Sequence, residues 1–322
     1  MGIKRVIIAA AICLVLAAAW LGGTSCLSRA PVIIVEDRIF EAIYGPFRLR
    51  KNQVLLSLAL KRPVRVLKIE ENAGDDVVVF TVESAAESPY CVIFSFRYYN
   101  AARRYNREYP DIPVGVFLGR YRELTDTSSE RFMLFGTDQK LDLYRAGRLA
   151  ALLASTLPPS GETSEEEAPP GEKKNPAILV FQDEYISNDL RDAFKEGLED
   201  EDNQSNPRYL IGSSQYQSET DCDAAVIYGA DPEFFGQSAD IPGILFSWLD
   251  PALTPRKIKA VFDDSPLALA ADLVPLIVNA EDNGEDERKI VEIPSEIWIL
   301  SRRLVEKGLP EKMKRAAGAE LP

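Results

Sequence analysis

Two series of short apolar runs alternating with helical repeats, separated by a stretch too polar to order itself, constrain this chain more than any other feature. The first series closes at 132–154. Phe132 to Phe135 reads as a strand, and Gly136-Thr137-Asp138 as a polar turn that contains a helix-capping residue. Leu141, Leu143, Tyr144, Ala146, Leu149, Leu152 and Leu153 then recur at helical spacing. The stretch 157–176 follows, dense in Pro, Gly and Glu and poor in apolar residues, so it is predicted to be an exposed, mobile linker. Within it, Glu165-Glu166-Glu167 reads as a solvated charge run rather than a metal site. The strand–helix unit before the linker is expected to close one lobe, and the chain after it to begin another.

In the first series, strands are expected at 32–35, 64–69, 77–82, 90–96, 112–118 and 132–135. A polar turn, Glu36-Asp37-Arg38, leads into a helix interrupted near Gly45-Pro46 and ended by Pro63, and a second helix is expected over 98–109. After the linker, strands are expected at 177–181, 209–211, 224–228, 243–246, 258–262, 289–293 and 297–300. Helices are expected at 188–198 and 266–278, with a terminal amphipathic segment over 305–317. Short apolar runs set between helices favour parallel sheets buried on both faces. The predicted fold class is therefore α/β, in two lobes that are each a mainly parallel sheet flanked by helices. The 322 residues suffice for two domains. The expected division is a signal at 1–25, an N-terminal lobe at 26–156, the linker at 157–176 and a C-terminal lobe at 177–322. Its last segment could return to the first lobe.

A formal net charge of −13 argues against duplex nucleic acid as a partner, because such binding needs Lys and Arg to neutralise phosphates. The chain has no histidine, which removes the commonest general base and metal ligand and rules out Ser-His-Asp and Cys-His triads. The four cysteines, Cys13, Cys26, Cys91 and Cys222, form no C-x-x-C pair; Cys91 and Cys222 read as buried free thiols, with a bridge between lobes as the alternative. No cofactor or metal site is expected.

Lys4-Arg5 precede an apolar run from Val6 to Leu21, then Gly22-Gly23-Thr24-Ser25-Cys26. A basic start, an apolar middle and small residues make a secretory signal. Small residues leading into a cysteine resemble a bacterial lipoprotein signal, although Gly23 stands where a leucine is usual. The resemblance implies that Cys26 is lipidated and that the bulk of the chain is extracytoplasmic, held to the membrane by a lipid anchor. An uncleaved N-terminal anchor is the other reading.

Several stretches resemble a known family. Asp37-Arg38-Ile39-Phe40-Glu41 is similar to the Asp-x-x-Phe-Asn that follows the first strand in the nucleoside-binding basic membrane protein lipoproteins. Tyr144 to Ala151 is similar to their Gly-x-Leu-Ala-Ala helix. Ser247-Trp248-Leu249-Asp250 falls where they have a strand ending in a ligand-holding aspartate, and Glu292 to Ile297 looks like a late strand of the wider superfamily. These proteins have the type 1 periplasmic binding protein fold. Two departures stand out: Glu41 replaces a ligand-binding asparagine, and the lysine usual near 261–264 is absent.

The resemblance implies a solute-binding lipoprotein that captures one small nucleoside- or sugar-like molecule between its lobes for an ABC permease, probing no chemistry and working as a monomer. Ligands of parallel sheets sit beyond the carboxyl ends of the strands. Asp37 and Asp250 are placed to accept two hydroxyls. Phe40, Tyr98, Tyr185 and Trp248 could stack on a flat ring. Asp138 is either a ligand group or an N-cap, and Phe40 either a platform or core. The alternative function is a sensor or structural lipoprotein of the same fold with a degenerate site. A third reading, a histidine-free hydrolase using carboxylates such as Asp263-Asp264, is disfavoured because adjacent residues point apart.

Overall fold

Val32-Ile33-Ile34-Val35 are wholly buried on both faces, which makes their strand, β1 (Val32–Asp37), the centre of a sheet rather than an edge. The computed structural model describes residues 28–119, 131–156, 177–182, 186–211, 222–228, 241–247, 254–279, 290–304 and 308–321. The signal segment, Cys26 and the linker 157–176 lie outside them. Among the described residues, no helix is long and apolar enough to cross a membrane.

After β1 come α1 (Arg38–Tyr44) and α2 (Pro46–Leu60), broken apart by Gly45 at φ 84° with Pro46 opening the next helix. Then follow β2 (Val64–Ile69), α3 (Asp75–Ala85), β3 (Cys91–Ser95), α4 (Tyr99–Glu108), β4 (Val114–Phe117) and β5 (Phe132–Thr137). Strands β2, β1, β3, β4 and β5 lie side by side in that order, all parallel. Ile33 and Val35 face α3 and α4, packing among Val78, Val82, Ala101 and Tyr105.

The run 77–82, expected as a strand, is helix α3. Its β-branched residues suggest a strand by propensity, but β2 and β3 both pair parallel with β1, and parallel neighbours need a crossover between them. Asp75 and Asp76 in the first turn favour a helix start, and Val78, Val79 and Val82 are buried while Val77 and Phe80 face out.

The second series repeats the plan. α5 (Gln139–Thr156), β6 (Ile178–Gln182), α6 (Asn188–Glu199), β7 (Arg208–Ile211), β8 (Ala224–Tyr228), β9 (Gly243–Phe246) and β10 (Ile258–Asp263) lead to α7 (Pro266–Val278). β11 (Val291–Ile293), β12 (Glu296–Ile299) and α8 (Leu309–Ala317) end the chain. The second sheet runs β12-β10-β9-β8-β6-β7, parallel except for β12, which pairs antiparallel with β10. β11 is the sixth strand of the first sheet, beside β5. One face of the second sheet packs Val180, Val226, Ile244 and Phe262 against α5, α6 and α8.

The chain forms two compact units, Met1–Gly136 with Pro266–Val291 and Thr137–Ser265 with Glu292–Pro322. The division falls before the last residue of β5, so α5 belongs to the second unit and not to the lobe whose strand precedes it. Its apolar side, Leu143, Leu149 and Leu153, is buried with Ile178 and Val226 of the second sheet. α7, in turn, is part of the first unit, where the side chain of Ile277 lies against Gly115 of β4.

The chain therefore changes unit at 136/137, 265/266 and 291/292. Residues of the second unit at these three points bond to one another. Thr137 Oγ1 donates to Asp264 Oδ2 at 3.3 Å, and Asp138 N donates to Ile293 O at 2.9 Å. The backbone N of Ser295 donates to Asp142 Oδ1 at 3.0 Å, and its hydroxyl to Asp142 Oδ2.

Candidate functional site

In the first sheet the order β2-β1-β3-β4-β5 reverses direction at β1 and β3, and the loops leaving these two strands part company there. In open parallel sheets the carboxyl ends of the strands at such a switch point are the usual ligand position. Glu36 and Asp37 close β1, Ser95 closes β3, and Arg97 and Tyr98 lie in the 3-10 turn behind it.

Asp37 is fully employed. One oxygen accepts from Phe40 N at 2.9 Å and caps α1, and the other lies 3.5 Å from Arg97 Nε. Arg97 also pairs with Glu71 at 2.5 Å, and that hydrogen bond raises its pKa further. Tyr98 is buried, its hydroxyl donating to Ile69 O at 3.3 Å; burial first and the Asp37 charge second push its phenol up to about 12. Phe40 packs in the core, 1% exposed and stacked on Tyr44 at 4.9 Å.

Glu36 stands apart from these. It was expected in a polar turn, yet it is a residue of β1 and only 1% exposed. Its side chain hydrogen bonds to Ser95, while Oε1 has no hydrogen-bond partner among the described residues. Burial and then the neighbouring Asp37 charge raise its pKa well above the ordinary carboxylate range, and the Ser95 bond opposes this only in part. A carboxyl whose protonated form is favoured in this way can, when it holds the proton, both donate and accept a hydrogen bond. The sequence does carry a signal for it: strand parity sets Glu36 on the face of Ile34, which is wholly buried.

In the second unit, the carboxyl ends of β8, β9 and β10 carry an aromatic ladder. Tyr228 meets Phe246 edge-on at 4.9 Å, and Phe246 stacks on Phe262 at 4.3 Å. Asp263 is wholly buried and accepts from Ser265 N at 3.0 Å. Asp138 caps α5, accepting from Leu141 N at 3.0 Å. Tyr185, Trp248 and Asp250 lie outside the described residues. Of the sequence-derived residues, the structure thus brings Asp37 and Tyr98 together, joined by Arg97. The sequence reading missed Glu36, Ser95, Arg97 and Tyr228.

No protein-family model matches the sequence, and no curated protein matches it. Solved structures do. An ABC transporter solute-binding protein from Conexibacter woesei is 13% identical with a TM-score of 0.56, over 91% of this chain and 99% of that one. A transcriptional activator of the comK gene from Bacillus halodurans is 12% identical with a TM-score of 0.54, over 90% of this chain and 96% of that one. At such identities the likeness shows the fold, which is α/β and periplasmic-binding-protein-like, with two mainly parallel sheets flanked by helices.

Proposed function

We propose that the protein is an extracytoplasmic, membrane-tethered solute-binding protein that takes up one small sugar- or nucleoside-like molecule for an ABC-type transporter and performs no chemistry on it. The observation that carries this reading is Glu36: a buried carboxyl with one oxygen unpartnered among the described residues, at the switch point of a parallel sheet, suits a ligand hydroxyl or amide. Trp248 and Asp250, candidates from the sequence, are proposed as further ligand groups. The absence of histidine and the likeness to a solute-binding protein support binding over catalysis. The signal-like N-terminus supports the tether, with Cys26 as the lipidated residue.

Calorimetry with nucleosides, pentoses, hexoses and amino acids tests the reading. One class is expected to bind, and Glu36→Leu, which can neither donate nor accept, to weaken it by roughly ten- to a hundredfold, the worth of a hydrogen bond lost by a buried group. Folded protein that gives no heat with any class at millimolar concentration overturns it. A sensor with a degenerate site is the second reading. It is favoured by the capping and ion pairing that occupy Asp37, by the burial of Phe40, and by Glu41 standing in place of asparagine.

A further inference from the structure

Between Glu41 and Glu70 the chain has seven Lys and Arg and no Asp or Glu, in a protein whose net charge is −13. The structure uses four of these cations internally. Arg48 lies 4.1 Å over the Tyr44 ring and Arg62 3.5 Å over the Tyr90 ring. Arg65 donates to the Ala85 carbonyl, and Lys68 pairs with Glu41 at 2.5 Å. Arg50, Lys51 and Lys61 have no carboxylate partner among the described residues, and Arg50 and Lys51 lie on α2.

The same helix exposes large apolar side chains: Phe47 is 82% exposed, Leu58 61%, Val54 54% and Leu55 52%. At 100° per residue these four, with Arg50 and Lys51, fall within an arc of about 140°, while Leu49 and Leu56 on the opposite side are buried. A shallow groove of about 260 Å³ runs among Phe47, Arg50, Lys51, Val54 and Leu55. Single exposed apolar residues are ordinary, but a contiguous stripe of four marks an interaction surface.

We propose that this face of α2 docks on an anionic phospholipid surface. An apolar stripe flanked by cations and free of acids is the pattern of a helix that lies in a membrane interface. Its position fits. Val32 N donates to Pro63 O at 2.8 Å and Arg62 Nη1 to Ala30 O at 3.5 Å, so the N-terminal chain enters beside the end of α2. Ten residues separate the apolar run ending at Leu21 from β1, a reach of at most about 40 Å. A second copy seated two-fold on the same face would set Arg50 and Lys51 against their own kind, which disfavours it. The inference uses the tether of the proposed function but not its ligand site.

The test uses the full chain reconstituted in vesicles, with a solvatochromic fluorophore on Leu58→Cys and, as control, on Phe80→Cys of α3. Each spectrum is read against the unsubstituted chain taken through the same labelling. With phosphatidylglycerol in the vesicles, the probe at position 58 is expected to shift to the blue and the probe at 80 not to. The shift should vanish in Arg50→Glu/Lys51→Glu, each charge contributing roughly fivefold to partitioning, and in high salt. Position 58 remaining aqueous, or shifting equally in purely phosphatidylcholine vesicles, overturns the proposal. So does a shift that follows protein density in both lipids, which would mean self-association, or one that requires added membrane protein. Calorimetric failure with every solute would leave these outcomes untouched, so the two readings fail separately.

Discussion

Gly147 of α5 and Gly197 of α6 lie where the two helices touch backbone to backbone. A Cβ on Gly147 would stand 2.1 Å from Phe194 O, and one on Gly197 would stand 2.0 Å from Tyr144 O. Each glycine removes the side chain that would otherwise hold the other helix away. The glycine in the helix motif that resembles the lipoprotein family therefore has a packing role in this chain. Gly147→Ala or Gly197→Ala should each destabilise the protein by roughly 1–3 kcal/mol, as overpacking does. Thermal unfolding checks this, and the double variant should lose less than the sum, because both changes force the same separation.

Glu36 makes stability depend on pH in a definite direction. Its folded pKa lies above its unfolded value, so between the two the folded state holds the extra proton. Stability is then greatest below the unfolded value near 4.3 and falls as pH rises toward the folded one. Glu36→Gln keeps the shape without the charge. It should raise the melting temperature at about pH 8, and the gain should shrink toward about pH 4. A gain independent of pH would mean that Glu36 is ionised in the folded protein.

Asp142 is wholly buried and accepts from both the backbone N and the hydroxyl of Ser295. Asp142→Ala strands two buried donors and should cost roughly 1–3 kcal/mol or more. Because the chain changes unit at 291/292, the loss should appear locally as faster hydrogen exchange at 293–296, while exchange at β1 should not change.

Cys91 and Cys222 are buried and in no disulfide among the described residues, and burial pushes the Cys91 thiol up to about 12. Both should resist alkylation at about pH 8 in the folded protein and react together on unfolding. Mass analysis of peptides after a pulse of reagent distinguishes them from Cys13 and Cys26.

Most of the fold was legible because hydrophobic spacing is a local property. The strands at 224–228 and 243–246 and the helix at 266–278 have their expected bounds. α3 was not legible, since Val77 to Val82 satisfies strand propensity, and only the parallel pairing of β2 and β3 around β1 demands a helix there. Of the site, Asp37 and Tyr98 could be picked out because polar and aromatic residues stand out after apolar runs. Glu36 looked like one more turn residue, since burial depends on what covers the strand end.

By itself the sequence determined the class of this protein: two series of strands and helices, written in side-chain periodicity, and no histidine for acid–base chemistry. Tertiary structure alone decided which unit owns α5 and α7, because a helix goes wherever its apolar side finds a sheet, whatever strand precedes it. It also decided that Glu36 is buried and its pKa raised, because a carboxyl's ionisation follows the solvent and charges brought around it by distant parts of the chain.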